Sequence, residues 1–125
     1  MRLSLRSEKW FLIIILAAGF FVHSFMLGSN FKTVDDLLSV ASNESIRSLS
    51  NIPQFFHQPF FQNSNDYYRP LVSVSFALDY WAHGLVPFYY NLTNLLLHVL
   101  CGFLVYFIIK NIVNDNTIAF LSGLL

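Results

Sequence analysis

The feature that most constrains this chain is the apolar run from Phe88 to Ile109, which contains no Asp, Glu, Lys or Arg. As an α-helix rising about 1.5 Å per residue it would be about 33 Å long, enough to cross the hydrocarbon core of a bilayer. Pro87 stands before it, where the missing N–H of a first helical residue costs nothing. We therefore predict a transmembrane helix over 88–109.

A second apolar run, Trp10 to Leu27, predicts an earlier transmembrane helix, about 27 Å long. It follows a tail with more basic than acidic side chains, which indicates a cytoplasmic N-terminus. A cleaved signal peptide is the rival interpretation. The run is long for a signal sequence, however, and no A-x-A-like cleavage site follows in FMLGSN.

The composition agrees with a membrane protein. The chain is 55% hydrophobic and only 11% charged, whereas charged residues make up about a quarter of an ordinary soluble domain. Its net charge is zero, which argues against a nucleic-acid partner. The single cysteine, Cys101, cannot form an internal disulfide and lies within the apolar run, as a packing residue would.

These features predict an all-α membrane protein with two transmembrane helices and the start of a third. The nine residues 117–125 are too few to cross a bilayer, so we expect a fragment or a truncated product. We expect a multi-pass protein of a bacterial inner membrane rather than the endoplasmic reticulum. The predicted order is a cytoplasmic tail (1–9), a transmembrane helix (10–27), a non-cytoplasmic loop (28–87), a transmembrane helix (88–109), a cytoplasmic turn (110–116) and the start of a third transmembrane helix (117–125).

The loop is predicted to contain two short helices that lie on the membrane surface. Residues 34–50 place apolar and small side chains at spacings of three and four, which is typical of one helix face, with polar residues opposite. The second helix, 70–83, opens at Pro70 and closes before Gly84. It is too short to cross a bilayer.

The acidic pair Asp35 and Asp36 follows the first apolar run closely, so it should lie near the outer membrane surface. Two carboxylates there could serve as a catalytic base and its helper, or as ligands of a divalent metal ion. Neighbouring helical residues point about 100° apart, so the two would have different roles. The structural alternative is a capping box between Thr33 and Asp36.

Three further ionisable residues, Arg69, Asp79 and His83, stand in apolar surroundings. Arg69 precedes a proline, which favours an extended backbone that would project its guanidinium toward a phosphate or toward lipid headgroups. Asp79 and His83 are four residues apart on the predicted second helix and can face each other. They predict either the rim of a wet cavity or a purely structural pair.

Polar and small residues recur every three or four positions along the predicted second span. Such a stripe faces other helices rather than lipid. We interpret His98 as a packing residue of this scaffold rather than as a metal ligand. The stripe consists of Asn91, Asn94, His98, Cys101 and Gly102.

Read in order, the segments resemble the N-terminal part of GT-C membrane glycosyltransferases. The pattern YRPL…S…LDY…G…P…Y…N…LLH, over residues 66–98, is similar to the transmembrane O-mannosyltransferases that carry tetratricopeptide repeats, and to their bacterial relatives. The acidic pair and the aromatic segment IPQFFHQPFF extend the resemblance back to about residue 30.

The resemblance implies transfer of a sugar, such as mannose, from a polyprenyl-phosphate carrier to an acceptor on the non-cytoplasmic side. It implies that Asp35 or Asp36 is the catalytic base or helps to bind a metal and the acceptor, and that Arg69 supports the lipid phosphate. Asp79 and His83 would lie at the rim of the site. The implied partners are membrane lipids, the carrier-linked sugar and a protein, lipid or glycan acceptor, with a divalent metal left open as the cofactor.

Two other functions compete with this interpretation. The chain could be a non-enzymatic membrane anchor whose outer loop binds a partner, or a truncated product without function. Since such transferases build the donor cavity largely from later helices, we expect this polypeptide to be inactive by itself.

Overall fold

The computed structural model describes residues 5–31, 33–60 and 67–124, with side chains from Glu8 onward. Every regular element within these ranges is helical, which confirms the all-α prediction. Positions 1–4 of the predicted tail and position 125 of the predicted third span lie outside the described residues. The α-helices are α1 (Leu5–Ser24), α2 (Val34–Asp36), α3 (Ile52–Phe55), α4 (Pro70–His83), α5 (Pro87–Val113) and α6 (Asn116–Leu124).

Among the described residues, α5 is the one helix long and apolar enough to cross a membrane. It runs past the predicted end at Ile109, because no helix breaker follows Lys110, and stops before Asn114, whose φ is +54°. That left-handed conformation is typical of residues just past a helix end. Helices α1 and α6 occupy the other two predicted spans, and their crossing of a membrane stays a prediction.

The first of two compact units consists of residues up to Met26 and from Asn94 onward. In its core Phe11 of α1 stacks on Phe120 of α6, with ring centroids 4.5 Å apart. The other core residues include Ile15, Tyr106 and Ala119, all buried.

A polar cluster joins the three helices of this unit at one end. Lys110 Nζ of α5 lies 2.8 Å from Glu8 Oε2 of α1. Asn116 Nδ2 of α6 donates a hydrogen bond of 3.2 Å to the other carboxylate oxygen, Oε1 of Glu8. The start of α1, the end of α5 and the start of α6 therefore meet at Glu8.

The second unit, Leu27–Thr93, contains the candidate functional residues of the loop. Its core gathers residues from the loop, from α4 and from the first turn of α5. The buried members are Val40, Ile46, Phe55, Ala77 and Tyr90. The packing of these side chains holds the short helices of the loop against α4.

The structure differs from the single helix predicted over 34–50. Helix α2 passes into a π-helical turn, Leu37–Ala41, and two 3₁₀ turns follow, Glu44–Arg47 and Leu49–Asn51. The breaks fall where polar side chains take backbone N–H groups: Asn43 Oδ1 accepts from Ser45 N at 3.0 Å, and the Ser48 hydroxyl caps the next turn. Such side chains compete with the regular helical ladder, which sequence spacing alone does not reveal.

Helices α5 and α6 approach closely at two glycines. A Cβ atom added to Gly102 would lie 2.9 Å from the carbonyl oxygen of Gly123.

We expect Gly102→Ala to destabilise the protein by about 1–3 kcal/mol, because the helix backbones must move apart. Thermal unfolding in detergent, followed by circular dichroism, measures the effect. Gly28→Ala is the matched control, since a Cβ there meets nothing within 4 Å. Equal midpoints for the two variants would contradict the close approach.

Candidate functional site

The two carboxylates of the acidic pair have different surroundings. Asp36 Oδ2 accepts a 3.1 Å hydrogen bond from the backbone N–H of Thr33, and the Thr33 hydroxyl accepts one of 3.1 Å from the backbone N–H of Asp36. This reciprocal arrangement is the predicted capping box. Asp36 is therefore occupied in starting α2.

Asp35 is exposed. Its backbone carbonyl accepts a hydrogen bond from the Ser39 hydroxyl. Its carboxylate is accessible to an acceptor hydroxyl or a cation. The described ranges contain no group of three His, Cys, Asp or Glu side chains that could hold a metal ion. The metal ligation that the resemblance implies for Asp35 or Asp36 stays a prediction.

Arg69 lies at the N-terminus of α4 with an exposed side chain. Its guanidinium carbon is 5.3 Å from the ring centroid of Tyr67 and 5.8 Å from that of Phe60. These cation–π contacts place the guanidinium over two aromatic rings. The N–H donors of a guanidinium are the groups that would bind an anion. Within the described ranges Arg69 forms no ion pair with either carboxylate of the acidic pair, so the structure does not bring these predicted site residues into contact.

Asp79 is buried, with 9% of its surface exposed, and its partner is not the predicted one. The Thr93 hydroxyl of α5 donates a hydrogen bond of 2.6 Å to Asp79 Oδ1. Burial raises the pKa of the Asp79 carboxyl, while the Thr93 hydrogen bond and the nearby His83 act in the opposite direction. Asp79 therefore joins α4 to the first turns of α5.

Asp79 and His83 lie near enough to interact through their charges, but the hydrogen-bond partner of Asp79 is Thr93. The His83 ring is exposed and stacks on Tyr89, with centroids 3.6 Å apart and an interplanar angle of 11°. The spacing argument considered α4 alone. Helix α5 supplies the Thr93 hydroxyl to Asp79 and the Tyr89 ring to His83.

The members of the predicted polar stripe have different contacts within their own units. Asn91 Nδ2 donates to the backbone carbonyl of Ser29 at 3.0 Å within the second unit. Asn94 and His98 belong to the first unit and are both exposed. There the His98 ring packs on that of His23 in α1, with centroids 4.0 Å apart. His98 therefore contacts a ring of α1 and Asn91 binds the loop backbone, while the scaffold role predicted for both stays a prediction.

Thr93 is the residue that sequence reasoning missed. A helical hairpin brings together residues equally far from its turn, and Val86 lies midway between Asp79 and Thr93. The equal distance of Asp79 and Thr93 from Val86 could have identified Thr93. The prediction, however, considered partners for Asp79 only within its own helix. The same hairpin is closed by Tyr90, whose hydroxyl donates to the Gly84 carbonyl at 3.1 Å.

Comparison with known proteins finds one partial likeness. In an alignment 71 positions long, which covers 52% of the chain, the sequence is 34% identical to Protein O-mannosyl-transferase Tmtc3 of Drosophila melanogaster. The aligned part covers 8% of the length of that protein. No protein-family model matches the chain, and no solved structure matches it. The likeness gives partial support to a relation with membrane glycosyltransferases.

The Asp79–Thr93 hydrogen bond gives a pH-dependent prediction. Thr93→Val should destabilise the protein by about 1.5–3 kcal/mol at neutral pH, because a buried charged acceptor loses its donor. The loss should shrink as the pH falls through the raised pKa of Asp79 and the carboxyl becomes neutral. Unfolding midpoints in detergent between acidic and neutral pH test this, with Thr93→Ser as the control that keeps the hydroxyl.

The raised pKa of Asp79 also sets how the stability of the unsubstituted protein depends on pH. Because the folded protein holds the Asp79 proton more tightly than the unfolded chain, the contribution of this group is greatest below its ordinary pKa and is lost as the pH rises through the raised value. A loss from Thr93→Val that is unchanged by pH, or one matched by Thr93→Ser, would contradict this assignment.

Proposed function

We propose that this chain supplies the N-terminal membrane part of a glycosyltransferase. The enzyme would move a sugar, with mannose the first candidate, from a polyprenyl-phosphate carrier to an acceptor hydroxyl on the non-cytoplasmic side. The observation that carries the proposal is the 34% identity over 71 residues to an O-mannosyl-transferase. The span-length helix α5 and the exposed carboxylate of Asp35 support it.

Asp35 would be the catalytic base of this reaction. The acceptor oxygen forms a bond to the anomeric carbon of the sugar while the bond from that carbon to the carrier phosphate breaks. The hydroxyl proton passes to the base, and the phosphate leaves as an anion that needs little protonation. The exposed Asp35 carboxylate suits this role better than Asp36, whose carboxylate accepts the Thr33 N–H.

Asp36 would contribute to catalysis by positioning Asp35 rather than by contacting the substrate. Its capping box with Thr33 fixes where α2 begins, and the next residue back along that turn is Asp35. Holding a base in place contributes to the rate because reacting groups meet in a productive geometry. The adjacent acids of the sequence thus have one chemical and one structural role in the proposal.

Arg69 would bind the carrier phosphate. Its guanidinium packs on Phe60 and Tyr67, which limits its motion while its N–H groups remain directed in their own plane. Guanidinium and phosphate form charge-assisted, often bidentate hydrogen bonds. The aromatic contacts would thus pre-orient a cation for an anionic lipid headgroup.

The proposed base is tested by sugar transfer in membranes from cells that express the complete open reading frame encoding this chain. With polyprenyl-phosphate mannose as donor, Asp35→Asn should lower kcat by about 10²–10⁴-fold, the usual contribution of general base catalysis. Asp36→Asn should cost much less, because the amide oxygen can still accept the Thr33 N–H. A wild-type rate for Asp35→Asn rejects the base, and no transfer by the unsubstituted protein rejects the transferase.

Arg69→Gln tests the phosphate contact separately. Losing a hydrogen bond to a charged group costs about 1.5–3 kcal/mol, so the KM for the carrier-linked sugar should rise about tenfold or more. Arg47→Gln is the matched control, since Arg47 is also exposed but reaches the backbone carbonyl of Ala41. Equal KM values for the two variants would argue against the contact with phosphate.

A further inference from the structure

A cavity of about 240 Å³ lies within the first unit and is lined by residues of α1, α5 and α6. Most of its lining is aliphatic or glycine, with Ile15 and Val99 as examples. Its polar side chains among the described residues are His23 of α1, His98 of α5 and Ser122 of α6. A mostly apolar wall with a few polar groups is typical of a binding site for a small ligand.

The two histidines of the cavity meet ring to ring. The centroids of His23 and His98 are 4.0 Å apart, and the ring planes are inclined by 35°. Both rings lie beside Gly19 of α1. Nδ1 of His23 is 3.2 Å from the Gly19 carbonyl oxygen, and a Cβ atom added to Gly19 would lie 3.8 Å from Cδ2 of His98. Two helices therefore bring two imidazoles to one place in the wall.

The contact with Gly19 determines which nitrogen of His23 can bind a ligand. A carbonyl oxygen only accepts hydrogen bonds, so Nδ1 of His23 carries the proton in this contact. In a neutral imidazole the other nitrogen, Nε2, then keeps its lone pair. Histidines that bind metals typically donate their second ring N–H to a backbone carbonyl in this way, which fixes the tautomer and the orientation of the ring. His23 thus has the arrangement expected of a metal ligand.

The chemistry of the wall selects the kind of ion. Imidazole nitrogen suits zinc, copper and nickel, whereas magnesium and calcium prefer oxygen ligands such as carboxylates. The described lining of the cavity contains no carboxylate. Moving a charge into apolar surroundings is costly. Because His98 is exposed, an ion bound there would keep contact with solvent on one side, which limits this cost.

We propose that His23 and His98 bind a divalent transition-metal ion in this cavity, with Zn²⁺ the first candidate. One nitrogen from each ring would bind the ion at about 2.0–2.1 Å, and water would complete the coordination beside the Ser122 hydroxyl. His98 thereby gains a role that its own helix could not reveal, because the second ligand lies on α1. Both histidines belong to the first unit and the residues of the transferase proposal to the second, so either proposal can fail without the other.

A zinc titration of the full chain in detergent, without an affinity tag, tests this site. The chain has four histidines, and the other two, His57 and His83, are exposed in the second unit. The double variant His57→Gln/His83→Gln should therefore bind Zn²⁺ as the unsubstituted chain does, with one ion per chain by calorimetry. Adding His23→Gln or His98→Gln to it should abolish the heat of binding. No binding by the unsubstituted chain, or binding that survives both added substitutions, overturns the proposal.

A second measurement leaves the site intact and does not depend on how the added variants fold. In the His57→Gln/His83→Gln variant, imidazole ¹⁵N resonances come from His23 and His98 alone. Zn²⁺ should shift the Nε2 resonance of His23 and one ring nitrogen of His98, while Nδ1 of His23 stays protonated on the Gly19 carbonyl. Ring resonances that do not move with Zn²⁺, or a shift confined to one of the two histidines, would exclude a shared ion.

Discussion

The hydrogen bond from Thr93 to Asp79 is the interaction on which the arrangement around α4 depends. A carboxylate in apolar surroundings is costly unless it is paired, so the rotation of α4 is limited to the one that brings Asp79 to this donor. That rotation also directs Ala77 into the core and leaves the neighbouring Leu78 exposed. A single polar contact therefore decides both which side of the helix packs and which side is left for the surroundings.

The acidic pair shows how adjacent residues of one type acquire different roles. A turn of helix takes 3.6 residues, so neighbouring side chains diverge by about 100°. At the start of α2 this leaves one carboxylate on the backbone N–H of Thr33 and the other exposed. The capping box that spacing alone left open is thus formed by Asp36, while a reactive role for Asp35 stays a proposal.

The features that were predictable from sequence are those set by local chemistry. Pro70 and Gly84 mark the ends of α4, and Thr33 with Asp36 marks the start of α2, because backbone preferences act over a few residues. Contacts between helices were not predictable in the same way. The partner of Asp79 depends on how α5 returns beside α4, and the breaks after α2 depend on which polar side chains turn back to the backbone.

The corner between α4 and α5 has a mechanical consequence. Gly84 has a φ of +65°, a conformation that side chains with a Cβ rarely adopt, and its carbonyl is tied to the Tyr90 hydroxyl. With Thr93 bound to Asp79 further along, two attachments brace the short connection. The first turns of α5 should consequently keep a fixed angle to α4, because the connection between them cannot bend without breaking one of the two hydrogen bonds.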